Sequence, residues 1–200
     1  MPTILKQINV ELAHIERLVT PGLVRIRSGQ HGVGSGVVWR SDGLILTNAH
    51  VVRHGPLTVQ TNDQIEFEAH VVANDPEQDI ALVHVPATNL PALSIGDSSR
   101  LHPGDIVVAF GHPWGVPGAA TSGIVIGVGD ELAEWRNSRQ RWLAASLHLR
   151  PGHSGGPMVN AQGQLVGINT MMNGPDVGLA TPINVALEFI SSQYVSSQFI

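Results

Sequence analysis

A serine hydroxyl, an imidazole and a carboxylate lie in short segments that could bring them together for hydrolysis. Ser154 is centred in residues 151–157 (PGHSGGP), whose glycines allow a sharp turn around one side chain. A serine hydroxyl is a poor nucleophile at neutral pH unless a base activates it and a carboxylate orients that base. His50, at the end of one apolar run, and Asp79, before another, are the upstream candidates. The three residues predict a nucleophilic hydrolase.

The order of these residues along the chain narrows the fold. Chymotrypsin-type enzymes carry His, Asp and Ser in this order, whereas subtilisins and α/β-hydrolases use two other orders. At residues 47–52 (TNAHVV), 79–82 (DIAL) and 152–157 (GHSGGP), the sequence resembles the trypsin-like serine proteases, and more closely their HtrA/DegP (protease Do) branch. Shorter matches at 34–38, 121–125, 167–170 and 180–183 extend this resemblance over most of the chain.

The composition is that of a globular chain rich in turns. With 200 residues, 42% of them hydrophobic and 14% charged, the chain can bury a core. Its 22 Gly and 13 Pro punctuate short apolar runs, which favours antiparallel strands over a helical bundle. A net charge of -5 offers no broad basic surface, so a nucleic-acid partner is not expected. Cysteine is absent, which excludes disulfides, thiolate metal sites and a cysteine nucleophile.

Hydropathy predicts no membrane span and no secretory signal. No stretch approaches the roughly 18 consecutive apolar residues of a spanning helix. The N-terminus has one Lys and no long apolar core. The chain is therefore expected to be cytoplasmic, unless a leader was removed from a periplasmic or otherwise exported protein, as the resemblance implies. The sequence leaves the compartment open.

The resemblance implies an all-β fold of two antiparallel six-stranded β-barrels of the chymotrypsin type, and the periodicity supplies the strand-like runs for them, with an N-terminal and a C-terminal helix. Helical spacing covers 8–19, and Asn184 is expected to cap a closing helix through Ser191. The predicted strands are 23–27, 34–40, 44–47, 57–61, 65–73 and 80–85, then 105–110, 119–128, 141–147, 157–159, 165–171 and 177–182.

These elements predict one trypsin-like protease unit over residues 1–200, without a PDZ domain. The first barrel, about 23–90, carries His50 and Asp79, and the second, about 103–183, carries Ser154. Residues 86–104 form the connection. The site is then expected in the cleft between the barrels, since pockets favour such interfaces.

In the predicted mechanism, His50 takes the Ser154 proton, and Asp79 holds the imidazole in the correct tautomer. The oxyanion hole is assigned to Gly152, His153 and Ser154, with the N–H groups of Gly152 and Ser154 facing the oxyanion. At the position that matches residue 153, trypsin-like zymogens have an Asp that pairs with a new N-terminus after cleavage. This chain has His153 there and so lacks that carboxylate. We therefore expect activity without N-terminal processing; activity that appears only after cleavage ahead of Val24 would contradict this.

The resemblance assigns substrate binding to residues on both sides of the nucleophile, namely His148, Leu149, Asn169, Thr170, Met171 and Met172. His148 matches the base of the specificity pocket, where trypsin has Asp. Without a carboxylate there, and with Met171 and Met172 as apolar walls, we expect a small or medium apolar P1 residue. A protonated His148 would instead attract an acidic P1, which a peptide library profiled between about pH 5 and 8 distinguishes.

Several other patterns have simpler interpretations. His50 and His54 have the i, i+4 spacing of a helical zinc pair, but Val51 replaces the Glu of the metalloprotease motif and Gly55-Pro56 ends any helix. No metal or other cofactor is expected. The charged segment 130–142, with two Trp, is either a regulatory loop, as in the family, or an exposed hairpin tip. Residues 111–115 (GHPWG) resemble an architectural Gly-Asn-Pro turn of the family.

Two functions follow from these observations. The first is a serine endopeptidase that hydrolyses unfolded or extended polypeptides, paired along Thr170 to Gly174, and the resemblance implies protein quality control. The alternative is a catalytically resting or inactive trypsin-like module that acts as a peptide-binding or chaperone-like scaffold. A homo-oligomer is left open. The HtrA-like enzymes that the chain resembles commonly form trimers through an N-terminal segment that bears aromatic residues. Residues 1–23 contain no Phe, Trp or Tyr, so a trimer is not expected.

Overall fold

Two closed antiparallel barrels form the body of the protein in a computed structural model, which describes residues 3–30, 32–53, 55–129, 132 and 138–196. The first barrel contains β1 (Leu23–Ser28), β2 (Gly32–Arg40), β3 (Leu44–Thr47), β4 (Leu57–Gln60), β5 (Glu66–Asp75) and β6 (Ile80–His84), in the order β1-β2-β3-β6-β5-β4. The second contains β7 (Ile106–Gly111), β8 (Ala119–Val128), β9 (Leu143–Ala145), β10 (Pro157–Asn160), β11 (Leu165–Met172) and β12 (Gly178–Pro182), in the order β10-β11-β12-β9-β8-β7. The predicted two-barrel, all-β fold is confirmed.

The N-terminal helix α1 (Ile4–Val19) begins four residues before the predicted start at Ile8. It packs through its C-terminal half, where Ile15 and Val19 are buried, whereas Ile4 is 75% exposed. Burial of one apolar stripe, rather than intrinsic propensity, holds such a helix in place. No helix in the described part of the chain is both long and apolar enough to cross a membrane.

The C-terminal helix α2 (Ile183–Ser196) differs from the prediction at both ends. Asn184 is not its N-cap, because the helix already begins at Ile183. The backbone N–H of Asn184 donates to the Ser98 hydroxyl at 3.2 Å, and its side-chain amide donates to Asp97 at 2.9 Å. A free backbone N–H of the first helical turn therefore finds its acceptor in Ser98, a residue of the connection between the barrels. A capping rule based on neighbouring residues cannot predict such a partner.

Apolar side chains fill three main regions. Alternate residues of the strands point into each barrel, with Ile26, Ile45 and Val83 in the first and Val107, Leu143 and Met158 in the second. A third cluster joins the barrels and both helices through Leu23, Leu46, Phe110, Leu165, Ile168 and Ile183. Burial of one such side chain contributes roughly 1.5–3 kcal/mol. This third cluster holds the two barrels together and thereby fixes the relative position of the loops at the cleft between them.

Candidate active site

His50 and Asp79 lie side by side at the ends of two paired strands. A short 3-10 helix, Ala49–Val52, follows β3 and carries His50, and Asp79 immediately precedes β6. His50 Nδ1 is 2.7 Å from Asp79 Oδ2, and the His50 backbone N–H donates to Asp79 Oδ1 at 2.9 Å. Because the carboxylate oxygen accepts this hydrogen bond, Nδ1 is its donor, and in a neutral ring Nε2 is then the acceptor.

The backbone holds Asp79 in an unusual conformation. Its φ is 52°, in the left-handed region that residues other than glycine seldom adopt. The side-chain amide of Asn48 donates to the Asp79 carbonyl oxygen at 2.9 Å, and the Asp79 side chain is only 10% exposed. A strained residue retained by surrounding contacts is typical of functional sites.

Ser154 enters the same cleft from the second barrel. It shares with His50 an open cavity of about 520 Å³. Its hydroxyl donates to the carbonyl oxygen of Thr170 at 3.0 Å, and among the described residues no hydrogen bond joins it to His50. Since the hydroxyl has one proton, that proton must turn away from Thr170 before His50 can accept it.

Residues 150–153 form a turn next to Ser154. The His153 N–H donates to the Arg150 carbonyl at 2.9 Å, and Gly152 has a φ of 104°. Pro at the second position and Gly at positive φ in the third are the features of a type II turn, whose central peptide carries the Gly152 N–H.

Two of the three predicted oxyanion-hole residues keep a free donor. Among the described residues, the N–H groups of Gly152 and Ser154 have no hydrogen-bond acceptor. The N–H of His153 is already used inside the turn, so His153 offers no donor to an oxyanion. Unpaired N–H groups on two residues that line one cavity are the type of donor that can stabilise a developing oxyanion.

Of the predicted substrate-binding residues, Leu149, Thr170, Met171 and Met172 line the cavity with His50 and Ser154. Met172 Sδ accepts the Leu149 N–H at 3.0 Å. His148 does not line this cavity: its side chain is 52% exposed, and its Nδ1 is 3.9 Å from Asp176 Oδ1. The side chain of His148 thus lies outside the described lining of this cavity, and its assignment to the base of the specificity pocket stays a prediction.

Asn169, which was also predicted to bind substrate, lies in the interior beside the loop that carries Ser154. It is fully buried, and its amide donates to the carbonyl oxygens of Phe110 and Pro157 at 3.0 and 3.1 Å. Its backbone exchanges hydrogen bonds of 2.8 and 2.9 Å with Gly155 and Gly156. Asn169 thus supports the loop that carries Ser154 through its buried side chain and its backbone.

Sequence reasoning missed two buried side chains, Ser35 and His112, that contact the turn at residues 150–153. Ser35 donates its hydroxyl to Gly152 O at 2.8 Å, and His112 Nδ1 lies 2.9 Å from that hydroxyl. His112 belongs to the turn that was interpreted as architectural. The motif at 34–36, a serine between two glycines, was the available signal, but nothing local shows that this serine reaches the other barrel.

The buried His112 should make stability depend on pH. Burial, together with the positive charges of Arg25 and His153, lowers the pKa of His112 from 6.5 to about 4. Between these values the unfolded chain binds a proton that the folded protein does not. The stability contributed by neutral His112 is therefore complete above about pH 6.5 and is lost as the pH falls toward 4, by about 3 kcal/mol in total.

Urea unfolding measured across this pH range checks this expectation. The free energy of unfolding should fall on acidification, and His112→Asn, which cannot titrate, should weaken the dependence. Burial also lowers the pKa of His153, so part of the dependence should remain in the variant. An unchanged slope in His112→Asn would contradict the assignment to His112.

Two other sequence features fall partly outside the described residues. Within the described part of the chain, no three His, Asp or Glu side chains are grouped to hold a metal ion, and His54 lies outside it. Most of segment 130–142 is also outside the described residues. Trp142, however, is buried with Leu132 and Leu179, so it belongs to the core rather than to an exposed hairpin tip.

Comparison with known proteins agrees with the fold and the motifs. A family model described as a trypsin-like peptidase domain matches residues 34–168. The putative serine protease HhoB of Synechocystis sp. is 39% identical over 163 residues, which cover 78% of this chain and 39% of that protein. A probable periplasmic serine endoprotease of the DegP-like type from Halomonas elongata is 35% identical over 194 residues, 94% of this chain and 40% of that protein. The chain spans about two fifths of the length of these relatives.

Solved structures give the same result. The HtrA-type protease AlgW with a tripeptide superposes with a TM-score of 0.81 at 32% identity, over 90% of this chain and 62% of that one. The same protease with a decapeptide gives 0.81 at 28% identity, over 91% and 67%. The resemblance to the HtrA/DegP branch is confirmed, and the chain belongs to the family of trypsin-like peptidase domains.

Proposed function

We propose that this chain is a serine endopeptidase unit in which His50, Asp79 and Ser154 form the catalytic triad. The observation that carries the proposal is the shared cavity: an imidazole oriented by a buried carboxylate and a serine hydroxyl line the same open space. The unpaired N–H groups of Gly152 and Ser154 supply the complementary donors. Together these groups provide a base, a nucleophile and anion stabilisation.

In the proposed reaction, the Ser154 hydroxyl turns from Thr170 toward His50. Its oxygen bonds to the carbonyl carbon of the scissile peptide as His50 Nε2 takes its proton, and the C=O π electrons move onto the oxygen facing Gly152 N–H. Collapse of this intermediate breaks the C–N bond, and His50 returns the proton to the leaving amine. Water then hydrolyses the acyl-enzyme by the same steps, with His50 again as base.

The substrate is proposed to be an extended polypeptide. β10 pairs with β11 only as far as Ile168, so residues 170–172 have an edge beside the cavity that no strand of the described residues pairs with. An extended peptide can add to such an edge by main-chain hydrogen bonds. Leu149 and Met172 in the cavity wall favour a small or medium apolar P1 residue, and an extended substrate is compatible with protein quality control.

Cleavage of casein, an unfolded substrate, tests the proposal. We expect fragments whose new C-termini, mapped by mass spectrometry, are mainly small or medium apolar residues, and much slower cleavage of a compact folded protein. Ser154→Ala is the control and should give no fragments. Absence of cleavage by the unaltered protein, or equal cleavage by the variant, would reject the proposal.

The alternative is a module that binds peptides without cutting them. The hydrogen bond from Ser154 to Thr170 favours it, since this rotamer does not engage His50. The casein assay separates the two functions, because a module that only binds peptides produces no fragments. Catalytic hydrogen bonds often form only in the substrate complex, so the endopeptidase remains the better-supported function.

A further inference from the structure

Ser35 of the first barrel holds the loop of the second barrel that carries the nucleophile. Its backbone N–H donates to the Ser154 carbonyl at 2.8 Å, and its hydroxyl donates to the Gly152 carbonyl at 2.8 Å. Its own carbonyl accepts the Thr47 hydroxyl at 2.7 Å, which fixes it within the first barrel. The side chain of Ser35 is fully buried. One residue therefore ties down both ends of the segment 152–154.

His112 fixes the direction of the Ser35 hydroxyl. The Gly152 carbonyl can only accept, so the single Ser35 proton points to it, and His112 donates from Nδ1 to Ser35 Oγ over 2.9 Å. The backbone N–H of His112 donates to the same Gly152 carbonyl at 3.0 Å. Two donors thus converge on the carbonyl of Gly152, a residue that lines the cavity and whose own N–H has no acceptor among the described residues.

We propose that Ser35, oriented by His112, is a positioning residue that keeps the oxyanion hole formed, an inference that rests on the endopeptidase function proposed above. Gly152 has no side chain to restrict its backbone, so rotation about its own backbone bonds could turn its peptide groups and displace its N–H. The hydrogen bonds on its carbonyl oppose that change. A donor held in place before the reaction needs no reorganisation when charge develops.

Ser35→Ala removes the hydroxyl with the smallest change in volume. We expect kcat for a fluorogenic apolar peptide to fall about 10- to 100-fold with little change in KM, since small misplacements of catalytic groups cost up to about 100-fold. Affinity for a peptidyl aldehyde, whose hemiacetal with Ser154 uses the oxyanion hole, should fall by a similar factor. Ser98→Ala is the matched control. Ser98 is also buried and hydrogen-bonded, but it lies in the connection between the barrels and contacts the first turn of α2. It should leave kcat unchanged.

Variants of His112 test the orienting role separately. His112→Asn places an amide nitrogen at the same number of bonds from Cα as Nδ1 and can donate to Ser35, so most of kcat should be retained. His112→Leu cannot donate and should resemble Ser35→Ala. Equal losses in the two His112 variants would argue against orientation through this hydrogen bond.

Amide hydrogen exchange separates this proposal from the endopeptidase assignment, because it needs no activity. In Ser35→Ala, exchange of the His153 and Gly156 amides, which are hydrogen-bonded within the nucleophile loop, should accelerate by about tenfold or more relative to Ser98→Ala. If the unaltered protein is inactive but Ser35→Ala accelerates exchange in the loop, the endopeptidase proposal fails, whereas the positioning of the loop by Ser35, here called the clamp, is supported. If the protein is active and Ser35→Ala changes neither kcat, aldehyde affinity nor exchange, the clamp is overturned.

Discussion

Ser154→Ala is expected to lower kcat for peptide hydrolysis by about 10⁶-fold, the loss typical when a triad nucleophile is removed. The variant lacks the oxygen that attacks the scissile peptide in the proposed mechanism. Ser154 lies at the cavity and is only partly buried, so the substitution should leave the fold intact. Steady-state hydrolysis of a fluorogenic peptide, with urea unfolding as a check on stability, measures the effect.

The residual rate of this variant is also informative. The unpaired N–H groups of Gly152 and Ser154 should still bind the substrate carbonyl, so a small rate above the uncatalysed reaction is expected. A variant that keeps more than about a tenth of the kcat would contradict the role of Ser154, since another group would then be the nucleophile.

Asp79→Asn should lower kcat by about 10⁴-fold. The His50 backbone N–H donates to one Asp79 oxygen, so the Asn oxygen should keep that bond and its NH₂ group should face His50 Nδ1. The ring must then accept at Nδ1 and carry its proton on Nε2. In that tautomer His50 cannot take a proton from Ser154.

Asp75→Asn is the matched control for this prediction. Asp75 also carries a carboxylate in the turn before β6, where it accepts the N–H groups of Glu77 and Gln78 at 2.9 and 3.1 Å. Its substitution changes the same charge without touching His50, so kcat should stay close to that of the unaltered protein. The tautomer explanation is refuted if both variants lose activity equally, or if Asp79→Asn stays within about tenfold of the unaltered protein.

The parts of the fold and site that sequence predicted are those encoded locally. Alternating apolar runs between glycines and prolines identified the strands, because the period-2 pattern and the turn residues are properties of short segments. The order of His50, Asp79 and Ser154 then selected the two-barrel fold among known triad folds. The pairing of His50 with Asp79 across β3 and β6 follows from that fold.

Features that depend on contacts between distant segments could not be predicted. The Ser35–Gly152 hydrogen bond joins residues 117 positions apart, and no local pattern encodes it. The first turn of α2 receives its partner from Ser98, 86 positions away from Asn184, so the nearest capping residue was chosen incorrectly. The solvent-facing side chain of His148 likewise depends on how the cavity wall packs.

A crystal structure of the protein after reaction with a peptidyl phosphonate tests the central claim most directly. The account predicts phosphorus bonded to Ser154 Oγ, His50 Nε2 within hydrogen-bond reach of the adduct, and the phosphonyl oxygen about 2.7–3.1 Å from the N–H groups of Gly152 and Ser154. Phosphonylation at another residue, or an adduct on Ser154 with His50 turned away from Asp79 and from the phosphonate, would contradict it.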